Sequence, residues 1–546
     1  MFGLMQHQEL MVSAVIKHAA RHHPNAELVS KTTEGTIHRY SYREFERRAR
    51  RMVRVLQKLG VKTQDRVATL AWNGYRHMEL YYAISGMQAI THTINPRLSV
   101  ADVAYIVGHA EDVLIFSDTT FAPLLAAAAP RFGTHVRGIV FMCDRANMPT
   151  VALPAGMQLL CYEELMDAAD DDHVWQEFDE RTAATLCYTS GTTGRPKGVL
   201  YSHRSTMLHA LAVGQADVIG LRAVDRVLPV VPMFHVNAWG IPYGALMSGA
   251  SLVMPGRFLD GASLTQLMND ERVTMSAGVP TVWLGLLQHL ETSGARLDHM
   301  ERLMVGGSAC PRMIFERFDA YGIRVFQGWG MTEMSPVGTY NTPKPAQTGL
   351  SADAEYAVRV TQGRALFGVD MKIVSDDGDE LPWDGKQSGH LLVKGAWVTN
   401  AYFGDAPDSA LDADGWFATG DVAAIDAEGF LQITDRSKDV IKSGGEWISS
   451  IQLENIAVGH PDVAEAAIIA ANHAKWAERP LLVVVAKPGR TIDKASVMAI
   501  FDGQVANWWK PDDIVVVDEL PHSATGKIQK LALRDRFRDY LLQKGV

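Results

Sequence analysis

The stretch Ala184-Thr-Leu-Cys-Tyr188-Thr-Ser-Gly-Thr-Thr-Gly194-Arg-Pro-Lys197-Gly-Val199 decides how the chain is read. A largely apolar strand, Ala184 to Tyr188, leads into six residues that are each glycine or a hydroxyl residue, and two cations follow. Glycine lets backbone amides turn toward an anion, serine and threonine add hydroxyl donors, and Arg195 and Lys197 supply positive charge, so the segment is suited to gripping phosphate. It is not a Walker A loop: the residue five after Gly191 is Pro196, and Lys197 is followed by Gly198. Nor does it hold the Gly-x-Gly-x-x-Gly of a kinase loop. A bare linker of turn formers needs neither the ordered cations nor the strand leading in.

Upstream, strands and amphipathic helices alternate. Ser41-Tyr-Arg-Glu44 is a capping box that opens a helix to about Leu59, stopped by Gly60, with Phe45, Met52, Val53, Leu56 and Leu59 on its apolar face. Strands are expected at 66–71, 89–93 and 113–117, with helices from about His77 to Met87 and from Val100. The Ala-rich segment Leu124 to Pro130 reads as helix. Downstream of the loop, strands follow at 226–231, 250–254, 273–277 and 303–305. The alternation predicts an α/β architecture with largely parallel sheet, and ligand loops at carboxyl ends of strands. After Gly363, short strands between acidic turns, such as 372–374 and 390–393, predict a β subdomain. The last ~110 residues predict a small α+β domain, close to the commonest domain size. The expected division is a large domain over residues 1–437 and a small one over 438–546.

With 546 residues the chain exceeds one hydrophobic core. A formal charge of −10 argues against a nucleic-acid-binding surface. No apolar run reaches the ~18 residues of a membrane span, and Met1 to Leu10 lacks the pattern of a secretion signal. The four cysteines are scattered without metal-ligand spacing, which points to a reduced, cytoplasmic setting. The histidines form no metal signature, and most are read as surface residues.

Further motifs follow in order: Pro232-Met-Phe-His235, Gly328-Trp-Gly-Met-Thr-Glu333, Gly415-Trp-Phe-Ala-Thr-Gly-Asp421, Asp435-Arg436 through Glu446, and Thr525-Gly-Lys527. Together with Tyr188 to Val199 they resemble the signatures of the AMP-forming adenylating enzymes, the superfamily of acyl-CoA synthetases, peptide-synthetase adenylation domains and firefly luciferases. The resemblance covers essentially the whole chain. It implies a carboxylic acid, ATP with Mg2+, and coenzyme A as reactants, an acyl-adenylate intermediate, and a large domain with a small mobile one.

The resemblance also implies roles for residues. Thr189, Ser190, Gly191, Thr192, Thr193, Gly194 and Lys197 would hold the β- and γ-phosphates. Thr332 would bond the α-phosphate, and Glu333, with Thr189, would hold Mg2+, a cation suited to hard oxygen ligands. Asp421 would accept from the ribose hydroxyls with Arg436 beside it. Trp329, between Gly328 and Gly330 and where the family more often has tyrosine, would face adenine across from Gly307, Ser308 and Ala309. Lys527 would neutralise charge between carboxylate and α-phosphate, and Lys438 would be the hinge. Ser443, Gly444, Gly445 and Glu446 would line the approach of the thiol. His235 would lie near the carboxylate or AMP, and Trp239, with Val236, at the mouth of an acyl tunnel. Gly278 through Trp283 would supply apolar wall.

The Ile441 to Ser450 run is similar to bacterial fatty-acid CoA ligases, and Gly328-Trp-Gly-Met-Thr-Glu333 to a medium-chain subgroup and its relatives acting on methylthiopropionate. A medium- to long-chain fatty acid is therefore the expected substrate, with 3-methylthiopropionate as the alternative. A fatty-acyl-AMP ligase loading a carrier protein usually carries an insertion in the large domain that is not discerned here, and a non-catalytic homologue would have lost Lys527 or Glu333. The resemblance is compatible with a homodimer and with peripheral membrane contact.

Overall fold

The helix Tyr42–Lys58 starts where its cap predicts: the Ser41 hydroxyl accepts from the Glu44 amide at 3.3 Å, while the Glu44 carboxylate grips Arg47. Gly60, at φ 76°, lets the chain reverse directly after the helix. The computed structural model describes residues 1, 3–189, 195–443, 446–522 and 527–544. Two large sheets, one small antiparallel sheet and a C-terminal α+β unit make up the architecture.

The first large sheet runs in the order Gln158–Cys161, Gly138–Phe141, Leu114–Ser117, Arg66–Leu70, Ile90–Thr93, Ala183–Tyr188, Gly198–Ser202. All neighbours are parallel except the last pair. The second has a parallel centre formed by Arg324–Gly330, Arg302–Val305, Met275–Gly278, Arg226–Pro229, Ser251–Met254 and Glu27–Lys31. Antiparallel strands close its two edges. The strands expected at 66–71, 89–93, 113–117, 226–231, 250–254, 273–277 and 303–305, and the run Ala184 to Tyr188, lie within about two residues of observed ones, because such apolar runs carry a period readable in sequence; the strands at 27–31, 138–141, 158–161, 198–202 and 324–330 are additional.

The helix Tyr75–Gly86 is buried along essentially its whole length and has no polar face. Such a helix belongs in an interior rather than on a surface. Two of its three tyrosine hydroxyls are tied to backbone far along the chain: Tyr81 to the Met233 carbonyl and Tyr82 to that of Pro242, the latter at 2.9 Å. The helix is thereby held against the Pro232–His235 segment and the chain that follows it.

The predicted β subdomain is a four-stranded antiparallel sheet, Val369–Val374, Gly389–Gly395, Phe417–Ile425 and Leu431–Arg436. The next sheet begins at Ile441 and contains Val463–His473, Ala477–Ala486 and Asp513–Val516. Among the described residues no helix is long and apolar enough to cross a membrane.

Two expectations are corrected. His77, His92, His173, His203, His209 and His460 are buried, and only six of the 19 histidines are exposed. Neutral imidazole serves as an internal hydrogen-bonding group: His203 accepts from the Val12 amide at 3.1 Å, His209 from that of Val337 at 3.0 Å. Trp283 is fully buried in a second core with Leu286, Leu287 and Phe318, and it fills the side of Gly278 where a side chain would stand. An indole after a helix-starting proline packs inward here rather than forming pocket wall.

Candidate active site

The phosphate-loop candidate is rooted as a hairpin. Tyr188 pairs with Gly198, the Thr189 amide donates to the Lys197 carbonyl at 2.9 Å, and the Lys197 amide to the Thr189 hydroxyl at 3.2 Å. Ser190, Gly191, Thr192, Thr193 and Gly194 lie outside the described residues. The Lys197 ammonium sits 4.4 Å from the centre of the Tyr402 ring, and Arg195 lies over Tyr105.

Glu333 and Thr332, both buried, form a short turn beyond the strand Arg324–Gly330. The Tyr201 hydroxyl donates to the Thr332 carbonyl at 2.6 Å, and the Tyr402 hydroxyl to Glu333 Oε1 at 2.9 Å. Among the described residues no cluster of three ligands could cage a metal ion alone. A buried carboxylate beside a phosphate-loop candidate nonetheless fits Mg2+, which binds through one or two carboxylates, phosphate oxygens and water.

Asp421 and Arg436 are direct cross-strand partners in the antiparallel sheet, with Arg436 Nε 2.7 Å from Asp421 Oδ1. The other oxygen, Oδ2, accepts from Trp329 Nε1 at 3.0 Å. Burial raises the Asp421 carboxyl above its ordinary pKa, against the pull of Arg436, Trp329 and Lys527. A carboxylate gripped from two sides has a fixed orientation and still carries lone pairs for two hydroxyls.

Lys527, far along the chain, joins this group. Residue 527 is exposed as a whole, and the charges of Arg436, Asp421 and Glu333 all act on its ammonium. Enclosure lowers its pKa to about 8, Arg436 adds to the fall, and the two carboxylates oppose it. His235 is kept neutral, its pKa lowered to about 4 by burial and then by Lys527. Lys530 is engaged elsewhere, 2.8 Å from Glu454 and 2.5 Å from the Ser450 hydroxyl.

On the apolar side, Val236, Asn237, Ala238, Trp239 and Gly240 all have positive φ, between 44° and 77°. A left-handed turn of this kind disfavours L-residues by roughly 1–2 kcal/mol each, so its surroundings must impose it. Asn237 Oδ1 accepts from the Tyr81 hydroxyl at 3.2 Å, and the His209 ring packs where a side chain on Gly240 would stand. Trp239 is thereby laid against Gly306, where a Cβ would come within 3.2 Å of its indole. Gly307 and Ser308 are exposed just beyond the strand end.

Other expected residues sit apart on the small unit. Ser443 is buried and accepts from Arg479 Nη1 at 3.3 Å. Gly444, Gly445 and the Glu446 side chain lie outside the described residues. The Lys438 carbonyl accepts from Arg534 at 2.7 Å.

Sequence reasoning passed over Tyr402, Tyr201 and Asn73. Asn73 donates to the carbonyls of Pro229 and Val231 and accepts from the Met233 amide, which fixes the approach to His235. A lone tyrosine or asparagine gives no signal, because its partners are more than 60 residues away.

Residues 16–403 match the family model described as AMP-binding enzyme, and residues 452–527 that of the AMP-binding enzyme C-terminal domain. A 3-methylmercaptopropionyl-CoA ligase of Ruegeria lacuscaerulensis is 51% identical over 99% of this chain and 100% of its own. A medium-chain-fatty-acid–CoA ligase of Ectopseudomonas oleovorans is 47% identical over 100% and 99%. Among solved structures, ATP-bound MatB from Rhodopseudomonas palustris superposes with a TM-score of 0.78 at 26% identity, covering 97% of this chain and 99% of that one.

Proposed function

The chain belongs to the AMP-binding enzyme family, and on that premise we propose that it is an acyl-CoA ligase whose acid is a medium- to long-chain fatty acid. ATP and coenzyme A are its co-substrates and the reaction passes through an acyl-adenylate. The acid's carboxylate oxygen attacks the α-phosphorus of ATP, the bond to the bridging oxygen breaks, and pyrophosphate leaves. The CoA thiolate then attacks the acyl carbon and AMP departs, giving acyl-CoA.

The observation that carries the reading is that the charges of Arg436, Asp421 and Glu333 all act on Lys527, with Asp421 fixed between Arg436 and Trp329. Two anions approach each other in the first step, so fixed positive charge at that point is what the transition state requires. Lys527 supplies it, while Asp421, oriented by Trp329 and Arg436, receives the ribose hydroxyls. Thr332 lies beside the α-phosphate and Lys197 beside the leaving pyrophosphate. Glu333 and Thr189 would hold Mg2+, which neutralises phosphate charge when bound. His235, held neutral, can orient the carboxylate by a hydrogen bond without adding a second cation beside Lys527. The large domain, 1–437, holds these groups apart from Lys527, which lies on the small domain, 438–546; after the first step that domain turns about Lys438 to bring Ser443 to Glu446 to the thiol's path.

The apolar contact of Trp239 with Gly306, next to Val236, supports an unsubstituted aliphatic acid. A second reading, a 3-methylmercaptopropionate ligase, is favoured by the relative that is 51% identical. Purified enzyme assayed for AMP release on a fatty-acid chain-length series and on 3-methylmercaptopropionate, with and without CoA, separates them. Higher kcat/KM for the fatty acids is expected. Preference for the thioether acid would overturn the first choice, and CoA-independent turnover would point to carrier-protein loading.

A further inference from the structure

The segment 399–403 lies across two parts of the site that are distant in sequence. The Thr399 amide donates to the Glu333 carbonyl at 2.8 Å, and the Tyr402 hydroxyl to Glu333 Oε1 at 2.9 Å. At its other end the Phe403 amide donates to the Gly198 carbonyl at 2.8 Å, directly after Lys197. A side chain at Gly198 would meet the Phe403 Cβ at 3.0 Å, so the two backbones are closely apposed. Between these anchors the Tyr402 ring carries the Lys197 ammonium on its face, and it packs against Tyr201, Val199 and Cys187.

We propose that Tyr402 is a positioning residue that holds the Glu333 carboxylate and the Lys197 ammonium in one frame, so that Mg2+ and the outer phosphates of ATP are bound as a unit. The inference rests on the ATP site read above. A ligand carboxylate with a free oxygen and a tethered one presents a single orientation to a cation, and loss of such an outer partner typically weakens metal binding about 10- to 100-fold. The ring face adds a second contribution through the lysine.

Calorimetric titration of ATP at graded Mg2+ concentrations, with no acid or CoA present, tests it. Tyr402→Phe keeps the ring and removes the hydroxyl, so the Mg2+ concentration at half-maximal ATP binding should rise about tenfold. Tyr402→Leu should in addition weaken binding of pyrophosphate with Mg2+ by roughly threefold. In a Glu333→Gln background the hydroxyl has no carboxylate to orient, so Tyr402→Phe should leave the Mg2+ midpoint unchanged. A Tyr402→Phe midpoint within twofold of wild type, or an equal shift in both backgrounds, overturns the proposal. Thermal unfolding without ligand identifies a variant that fails to fold, in which case Tyr402→Trp, which keeps an aromatic face, replaces it in the same titration. Wild-type protein that binds no ATP with Mg2+ would overturn the site reading itself.

Discussion

Lys527 offers the sharpest test, because its lowered pKa places the change of charge close to neutral pH. Its pKa, lowered to about 8 by enclosure and by Arg436, leaves about nine-tenths of the side chains protonated at pH 7 and about one-tenth at pH 9. The protonated form carries the charge that the first step needs, so the active fraction lies below the pKa and is lost as pH rises through it. The kcat/KM for ATP, measured by pyrophosphate release, reports the free enzyme and should fall about tenfold from pH 7 to pH 9. Thioester formation from supplied acyl-adenylate and CoA should show no such fall. Lys527→Ala should abolish the first step and spare the second. Arg436→Met removes the nearby like charge and should move the alkaline limb upward. A flat profile between pH 7 and 9.5, or the same limb in both half-reactions, would refute the assignment.

Trp329→Phe removes the donor to Asp421 while keeping an aromatic face. Since a hydrogen bond to a charged group contributes about 1.5–3 kcal/mol, the KM for ATP should rise about tenfold or more and preference over 2′-deoxy-ATP should shrink; unchanged discrimination would contradict the Asp421 reading. Gly306→Ala intrudes on the Trp239 indole and should change the ranking of acids in the AMP-release assay with the KM for ATP within twofold; an altered ATP KM alone would place Trp239 on the nucleotide side. His77 and His203 have pKa values lowered to about 4, and His209 to about 3, by burial. The folded state therefore binds fewer protons than the unfolded one below about pH 6.5. Stability is full above that pH and should decline from pH 6.5 toward 4, seen as a falling Tm by scanning calorimetry; a constant Tm from pH 7 to 5 would argue against neutral buried imidazoles.

Much of the scaffold is legible in the sequence because periodicity is local. The strand Ala183–Tyr188 and the helix Tyr42–Lys58 declare themselves through runs and a cap that need no distant partner. Asp421 and Arg436 appear in sequence only as two motifs. Their direct apposition depends on strand register, which includes a bulge between Val422 and Ala423. The Trp329–Asp421 bond joins residues 92 apart in sequence, and Tyr402 acquires meaning only once Glu333 and Lys197 flank it. Burial of the histidines was misread for a related reason: an imidazole's position is set by which carbonyls and amides the fold leaves needing a partner, and local composition does not record that.

The left-handed turn at Val236–Gly240 inverts a common rule of protein engineering. Over most of a chain, exchanging a residue for glycine loosens the folded state by giving the unfolded chain more freedom. At Ala238, with φ 47°, the same exchange relieves a conformation that an L-side chain resists. The turn therefore trades stability for shape, and laboratory selection for heat resistance alone would be expected to accumulate glycine there at the expense of the Trp239–Gly306 contact.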